Sequence, residues 1–152
     1  KQTSFIYMKK TALNIAIEHE NIEIIKLLLQ NKKIDVNFIL NYDYNKPISF
    51  YGYLWPEVYR MKEFKPPLYI AFEKNNTEII QLLLLNSNID INCKSEFYVD
   101  FFGTKYSQTK TEKFILKEAI LQNKNEIVQI LNSSINDNND KDCNNIENEK
   151  ND

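Results

Sequence analysis

Few of the side chains that usually carry catalysis are present in this sequence. His19 is the only histidine, and the two cysteines, Cys93 and Cys143, are 50 positions apart and belong to no CxxC pair. A structural zinc site or a disulfide framework needs several such residues at characteristic spacings. The sequence therefore predicts two free thiols, no metal site and no bound cofactor.

Three carboxylates lie close together, at Glu18, Glu20 and Glu23, and a general acid and base could be imagined among them. They fall at the turn before a predicted helix, where acidic side chains are expected because they interact favourably with the helix dipole. The sequence has no phosphate-binding loop, no nucleophile motif and no acidic metal cluster. We therefore expect a protein that is not an enzyme.

The aromatic side chains could support a different chemistry, namely recognition of another molecule. Tyr and Trp provide much of the binding energy of protein interfaces, because they bury a large area at a small cost in entropy. They could equally pack against one another as cross-strand pairs, and the two roles are compatible. Two stretches, 38–65 and 93–113, hold 14 of the 19 aromatic residues: Phe38, Tyr42, Tyr44, Phe50, Tyr51, Tyr53, Trp55, Tyr59, Phe64, Phe97, Tyr98, Phe101, Phe102 and Tyr106.

Charge and hydropathy narrow the class of partner. The chain carries 19 basic and 21 acidic side chains, a formal net charge of −2, and no basic stripe of the kind that binds nucleic acid. No segment approaches the roughly 18 consecutive apolar residues that a membrane-spanning helix needs. A protein partner, no nucleic acid, no membrane span and a cytoplasmic location are therefore expected.

An internal repeat supplies the elements that must position these residues. Segment 11–37 aligns without a gap with segment 66–92 at an offset of 55 residues, and a third copy, 114–131, follows at an offset of 48. Self-similarity of this kind is typical of stacked repeat architectures. The coinciding positions include Leu13, Leu68 and Leu116, then Ala16, Ala71 and Ala119, and then Glu23, Glu78 and Glu126.

Each copy is predicted to form two short antiparallel helices. In the second helix of the first copy, Ile24, Ile25, Leu28 and Leu29 recur at helical spacing. A helix of about ten residues is marginal alone, so each pair must bury its apolar face against its neighbour. The predicted fold class is an all-α repeat solenoid. The first helices span about 12–19, 67–74 and 115–122, and the second about 22–31, 77–86 and 125–132.

The repeated pattern resembles the ankyrin repeat, whose signature is T-P-L-H-x-A. The signature stands here as TALNIA from Thr11, PPLYIA from Pro66 and FILKEA from Phe114. The family's N-E-I-[IV]-x-L-L-L helix and its D-[VI]-N turn, at 35–37 and 90–92, are also present. Stacks of the tetratricopeptide or HEAT type are the alternative, but those families lack the D-[VI]-N turn.

The resemblance implies an interaction module that binds a protein partner through its concave side, which the fingers and first helices form. A substrate-recruiting accessory module of a larger enzyme is the alternative. No copy keeps the family's histidine after Leu or its glycine between the helices, so a hydrogen-bond network built on that histidine is not expected. The Asn-, Lys- and Ile-rich composition with long fingers is similar to ankyrin proteins expanded in some parasitic protozoa.

The two aromatic stretches, 38–65 and 93–113, fall where ankyrin repeats have their β-hairpin fingers. We interpret them as elongated hairpins, with a short helical turn opened by Pro56 in the first. The segment 4–7 resembles the end of another finger, and we expect further ankyrin repeats N-terminal to it. The partner-binding residues that the resemblance implies are Glu18, His19, Glu73, Lys74, Leu121 and Gln122 on the first helices, and Tyr51, Tyr53, Trp55, Phe101 and Phe102 in the fingers. Ordinary solvated helix ends are the alternative for the first six.

The predicted organisation is one ankyrin repeat domain, 1–132, followed by a tail, 133–152. The tail is dominated by Asn and acidic residues and has no aromatic side chain. Such a composition buries too little apolar surface to offset the entropy of ordering. We therefore expect the tail to be disordered.

Overall fold

The computed structural model describes residues 4–50, 53–101 and 108–148. These ranges form five strands and six helices, and the six predicted helices are all present. The five helices α1 to α5 end one or two residues before their predicted ends. In chain order the elements are β1 (Ser4–Lys9), α1 (Ala12–Glu18), α2 (Ile22–Leu29), β2 (Leu40–Phe50), β3 (Tyr53–Lys65), α3 (Pro67–Glu73), α4 (Thr77–Leu84), β4 (Lys94–Phe101), β5 (Gln108–Phe114), α5 (Ile115–Leu121) and α6 (Asn125–Asn148).

The five strands form one antiparallel sheet in the order β1-β2-β3-β4-β5. Finger 1 is the hairpin β2–β3 and finger 2 is the hairpin β4–β5, so the predicted hairpins are confirmed. The fingers also pair with each other through β3 and β4, and β1 pairs with β2. The all-α assignment is therefore right for the helix pairs and wrong for the chain, because the long insertions add a sheet.

Pro56 does not open a helical turn, contrary to our expectation, and lies within β3. The register of finger 1 shifts there, since Pro47 pairs with Val58 but Ser49 pairs with Leu54. Proline lacks the N–H that a regular ladder requires and is tolerated in a strand at such an irregularity. The finger therefore stays extended through the proline.

The helix pairs stack into one continuous apolar core, as predicted. Ala16, Ala71 and Ala119 are buried where successive first helices approach each other. Leu83 and Leu131 lie fully buried in the same cluster, and Leu28 packs against it. The three copies therefore share one core rather than forming three.

In the first copy, Asn14 stands at the position of the histidine in the ankyrin signature and forms hydrogen bonds of its own. Asn14 is fully buried, and its Oδ1 accepts from the Thr11 hydroxyl at 2.7 Å and the Thr11 backbone N–H at 3.1 Å. Its Nδ2 donates to the Phe38 carbonyl at 3.5 Å. The Thr11–Asn14 capping box therefore also ties α1 to the start of finger 1.

The D-[VI]-N turns connect successive copies. Asp35 Oδ1 accepts from the Asn37 backbone N–H at 2.9 Å, which fixes the turn. The Asn37 side chain then reaches the next turn, donating to the Asn88 carbonyl at 2.6 Å and accepting from the Asp90 N–H at 2.9 Å. One asparagine thus fixes the spacing between the first two loops.

Helix α6 extends beyond its predicted end at 132 and continues to Asn148, so over 133–148 the structure differs from the predicted disordered tail. Ile135 packs against the core after the predicted boundary. Ser133 and Ser134 hydroxyls donate to the carbonyls of Gln129 and Ile130 at 3.0 and 3.1 Å. No Gly or Pro lies between 125 and 148 to end the helix.

Truncating a core leucine tests the shared core. Leu83→Ala is expected to lower the free energy of unfolding by about 2–5 kcal/mol, because it leaves a cavity between stacked helices. The matched control is Leu85→Ala, since Leu85 is 83% exposed, and we expect a change within about 0.5 kcal/mol. Urea unfolding of both variants measures the difference, and equal effects would contradict the shared core.

The loop between the two helices of each copy has a left-handed residue where the family has glycine: Glu20, Asn75 and Asn123 have φ of 54°, 56° and 56°. Asparagine tolerates this conformation better than glutamate does. Glu20→Gly is therefore expected to raise the free energy of unfolding by about 1 kcal/mol, despite losing the 2.9 Å hydrogen bond from Asn76. Asn75→Gly should change it less, and thermal unfolding that ranks the two in reverse would refute this explanation.

Candidate protein-binding surface

The sheet has an inner face, which we define by Leu40, Tyr42 and Lys65, and an outer face on the opposite side. Leu40 pairs with Lys65, and Tyr42 lies two residues further along β2, so the three residues share one side of the pleat. Leu40 is fully buried in the core. The inner face therefore meets the helices at the base of the fingers and forms one wall of the concave side.

Charged side chains around Tyr42 connect the inner face of the sheet to the first helices α1 and α3. Lys10 donates to Glu18 at 2.6 Å, and the Tyr42 hydroxyl donates to the same carboxylate. Lys65 pairs with Glu63 at 2.9 Å and with Glu73 at 2.7 Å. The Nζ atoms of Lys10 and Lys65 lie 5.4 and 5.8 Å from the Tyr42 ring centroid. We call these residues the Tyr42 cluster: Lys10, Glu18, Tyr42, Glu63, Lys65 and Glu73.

The contacts in the Tyr42 cluster shift the pKa values of its members. Partial burial acts to raise the pKa of Glu18, but hydrogen bonds from Lys10 and Tyr42 outweigh it and leave the pKa below its ordinary value. Burial and the Glu18 carboxylate together raise the pKa of the Tyr42 hydroxyl. Burial acts to lower the pKa of Lys65, but Glu73 and Glu63 raise it overall. At neutral pH the cluster therefore contains ionised Glu18, neutral Tyr42 and charged Lys65.

The predicted site residues on the first helices fall into two groups. Glu18 and Glu73 are engaged in the Tyr42 cluster, which brings the ends of α1 and α3 together through the base of finger 1. His19, Lys74 and Gln122 are exposed at the corresponding helix ends, and Leu121 is 65% exposed. Gln122 Nε2 donates to Glu118 at 3.3 Å, so His19, Lys74 and Leu121 are the most accessible of the predicted residues on the first helices.

The predicted finger residues are placed by the strand register. Tyr53 and Trp55 belong to β3, and Tyr53 pairs with Phe50. Phe101 ends β4 and pairs with Tyr59 of β3, so the two fingers are joined at that level of the sheet. Tyr51 and Phe102 lie outside the described residues.

The outer face carries a network of alternating charges between β4 and β5. Lys94 lies 2.9 Å from Glu112 and 3.1 Å from Glu96, and Lys110 lies 3.1 Å from Glu96. The Tyr98 hydroxyl donates to Glu96 at 2.8 Å. That bond, together with the two lysines, lowers the pKa of Glu96 to about 2. Charges in this network are matched within finger 2.

Packing of aromatic rings, one of the two roles considered for these residues, is present between the fingers. The rings of Phe64 on β3 and Tyr98 on β4 meet edge to face, with centroids 5.6 Å apart. Such a pair stabilises by about 0.5–1.5 kcal/mol beyond its buried area. At least these two rings therefore hold finger 1 and finger 2 together.

Sequence reasoning missed Lys10 and Lys65 and gave Tyr42 no role of its own. A signal was present in the repeat, because a lysine precedes each signature, at 10, 65 and 113. An acidic residue follows each of the first two lysines after eight positions: Glu18 follows Lys10 and Glu73 follows Lys65. Leu121 occupies the corresponding position after Lys113. The recurring Lys–Glu pair could have been recognised as a structural contact within the first two copies.

The environment of Cys93 disfavours a reactive thiolate. Cys93 is buried beside a shallow cleft of about 300 Å³. Its burial raises the pKa of the thiol to about 12, so a nucleophilic thiolate is scarce at neutral pH. In the described part of the chain, no group of three or more His, Cys, Asp or Glu side chains is arranged to hold a metal ion.

Stacked helix pairs whose hairpins project to one side define the class as a repeat solenoid with fingers. A family model for ankyrin repeats in three copies matches residues 8–95, more than half of the chain. The chain belongs to the ankyrin repeat family. No curated protein and no solved structure matches it.

The third helix pair, α5 and α6, lies beyond the matched residues but stacks in the same manner, with Ala119 and Leu131 in the common core. Ankyrin repeats are generally protein–protein interaction modules and are typically non-catalytic. Within the ranges described, no helix is both long enough and apolar enough to cross a membrane.

The Tyr42 cluster predicts an acid-sensitive component of stability. Because the pKa of Glu18 is lowered on folding, its contribution is complete above the unfolded-state pKa of about 4.3 and is lost as the pH falls through the folded-state value. The stability difference between the wild type and Glu18→Gln is therefore expected to shrink as the pH falls from 7 to 3.

Urea unfolding at each pH measures that difference. Tyr42→Phe removes one donor to Glu18 and keeps the ring, so folding lowers the pKa of Glu18 less. The acid-induced loss of stability should therefore be smaller in this variant and should be complete at a higher pH than in the wild type. Parallel pH curves for the wild type and Glu18→Gln would contradict the proposed coupling.

Proposed function

We propose that this chain binds a partner protein through its concave side. The observation that carries the proposal is the anchoring of finger 1 to α1 and α3 by the Tyr42 cluster and by the buried Leu40. A binding surface that is ordered before association loses less entropy when its partner arrives. The exposed residues that this surface offers on the first helices are His19, Lys74, Leu121 and Gln122.

The fingers extend the proposed surface beyond the helices. Met61 and Val99 pair across β3 and β4 and are each only half-buried. Tyr44 pairs with Met61 from β2, so aromatic and aliphatic residues are in register across three strands. Hydrophobic area of this kind, next to exposed polar helix ends, has the composition of protein interfaces.

We also propose that another ankyrin helix pair covers the N-terminal side of the first copy. Ile15 and Ile24 are exposed there, whereas the equivalent Ile70 and Ile79 of the second copy are buried against the preceding pair. Strand β1 supports the same proposal, because it pairs with β2 as β3 pairs with β4. A cytoplasmic location is proposed as well, supported by the free thiol of Cys93.

The partner can be sought directly by affinity capture with the immobilised full chain and mass spectrometry of what stays bound. Ser133→Asp changes an exposed residue of α6 away from the concave side, so this variant is the control bait beside the wild type. A specific partner is expected to be retained by both baits and lost from a bait carrying Lys74→Glu and Leu121→Asp. Equal retention by all three baits would place the binding surface elsewhere.

Two finger residues test whether the fingers take part in recognition. With the captured partner, Trp55→Ala and Tyr53→Ala are each expected to weaken binding by about 2 kcal/mol or more, with little change in the melting temperature. Calorimetric titration gives the affinity and thermal unfolding gives the stability. A large drop in melting temperature at unchanged affinity would show that these residues support the fold instead.

A further inference from the structure

The outer edge of β5 lacks the strand that the equivalent edges possess. Strands β1, β3 and β5 are the strands that lead into each helix pair, and β1 and β3 each pair with the first strand of the next finger, β2 or β4. Among the described residues, strand β5 stands last in the sheet and pairs with β4 alone. Backbone N–H and C=O groups along such an edge can pair with another strand.

The chain's own course leaves this edge open. After the first and second helix pairs the chain turns and supplies β2 or β4, but after the third pair it continues as helix to Asn148. The described residues therefore contain no segment that takes the place of a sixth strand. Residues 110–114 of β5 are all exposed.

The helix layer is open at the same end. Ile120 occupies the position of Ile17 and Phe72, which are buried between copies, and it is 57% exposed. Leu121 next to it is also exposed. An apolar patch on α5 therefore continues the open edge of β5.

Charge at this end is also left unmatched. Lys10 and Lys65 pair with Glu18 and Glu73, but the equivalent Lys113 faces a copy in which Leu121 replaces the acid. Lys113 is exposed and makes no ion pair with the described residues. A ligand of this end gains from an acidic side chain near Lys113 and an apolar one near Ile120.

We propose that an extended peptide segment of a partner protein adds to β5 as a sixth, antiparallel strand. Its main chain pairs with residues 110–114, an apolar side chain covers Ile120 and Leu121, and an acidic side chain meets Lys113. This mode of recognition uses main-chain hydrogen bonds for affinity and side-chain contacts for specificity. Apart from Leu121, which borders both, the residues of this site are distinct from those of the concave surface proposed above.

A synthetic peptide with the sequence of residues 38–46, FILNYDYNK, serves as the probe because it contains the part of β2 that pairs with β1. A scrambled peptide of the same composition is its control. On titration into the isotope-labelled full chain, we expect saturable changes in the amide resonances of 110–114, Ile120 and Leu121. Absence of saturation, equal effects of the scrambled peptide, or changes confined to β1 would overturn the proposal.

Matched variants locate the contact. Ile120→Lys is expected to raise the Kd of the probe at least tenfold, whereas Leu85→Lys, which changes the exposed C-cap residue of α4, should leave the Kd unchanged. Equal Kd values for the two variants would refute the proposed contact. Circular dichroism of both variants should match the wild type, since both residues are exposed.

Sedimentation of the chain without peptide tests whether a second copy of the chain, rather than a peptide, occupies the edge of β5. A monomer is expected, and a dimer that Ile120→Lys dissociates would overturn the proposal by showing that another copy occupies the edge. The concave surface is tested independently, because Lys74→Glu should not affect probe binding. A loss of probe binding in Lys74→Glu would contradict the separation of the two sites.

Discussion

The burial of each helix pair against the next is the interaction on which the rest of the structure depends. Helices α1 to α5 have seven or eight residues each, too few to be stable alone in water. They persist because the alanines of the first helices permit close approach and because Ile17 and Phe72 fill the space between copies. The same contact fixes the distance between successive copies, and that distance determines where each finger begins.

The repeat distance explains why long fingers merge into one sheet. Packed helices lie about 8–10 Å apart, and two neighbouring strands occupy about 9.6 Å. A two-stranded finger on each helix pair therefore arrives beside the next finger at strand spacing. A single hairpin is marginally stable in water, so fingers of this length gain order from pairing with each other. The Phe64–Tyr98 contact and the β3–β4 ladder are the result.

The sequence predicted the features that depend on local pattern, and it failed where contacts join distant segments. Helical spacing and the recurring alanines indicated the helix pairs, and the position of the aromatic stretches, where ankyrin repeats have their fingers, indicated the hairpins. The joining of fingers across β3 and β4 could not be predicted, because cross-strand register depends on the stacking distance. Pro56 was misread because a bulge in β3 itself accommodates the proline, since residues 55–57 of β3 lie opposite a single residue of β2. The Tyr42 cluster was missed because Lys10, Glu18 and Tyr42 become neighbours only when the finger folds back on α1. The proposed binding residues remain predictions.

Internal pairing also decides which charges are available for recognition. Glu18 and Glu73 looked like acidic contacts for a partner, but each already neutralises a lysine at the base of finger 1. Breaking such a pair would leave a half-buried lysine without its counter-ion, which costs more than an exposed pair contributes. These carboxylates are therefore weaker candidates for the proposed partner contacts than exposed groups such as Lys74 and Leu121. The acids then act by positioning, because their ion pairs hold the base of finger 1 against α1 and α3.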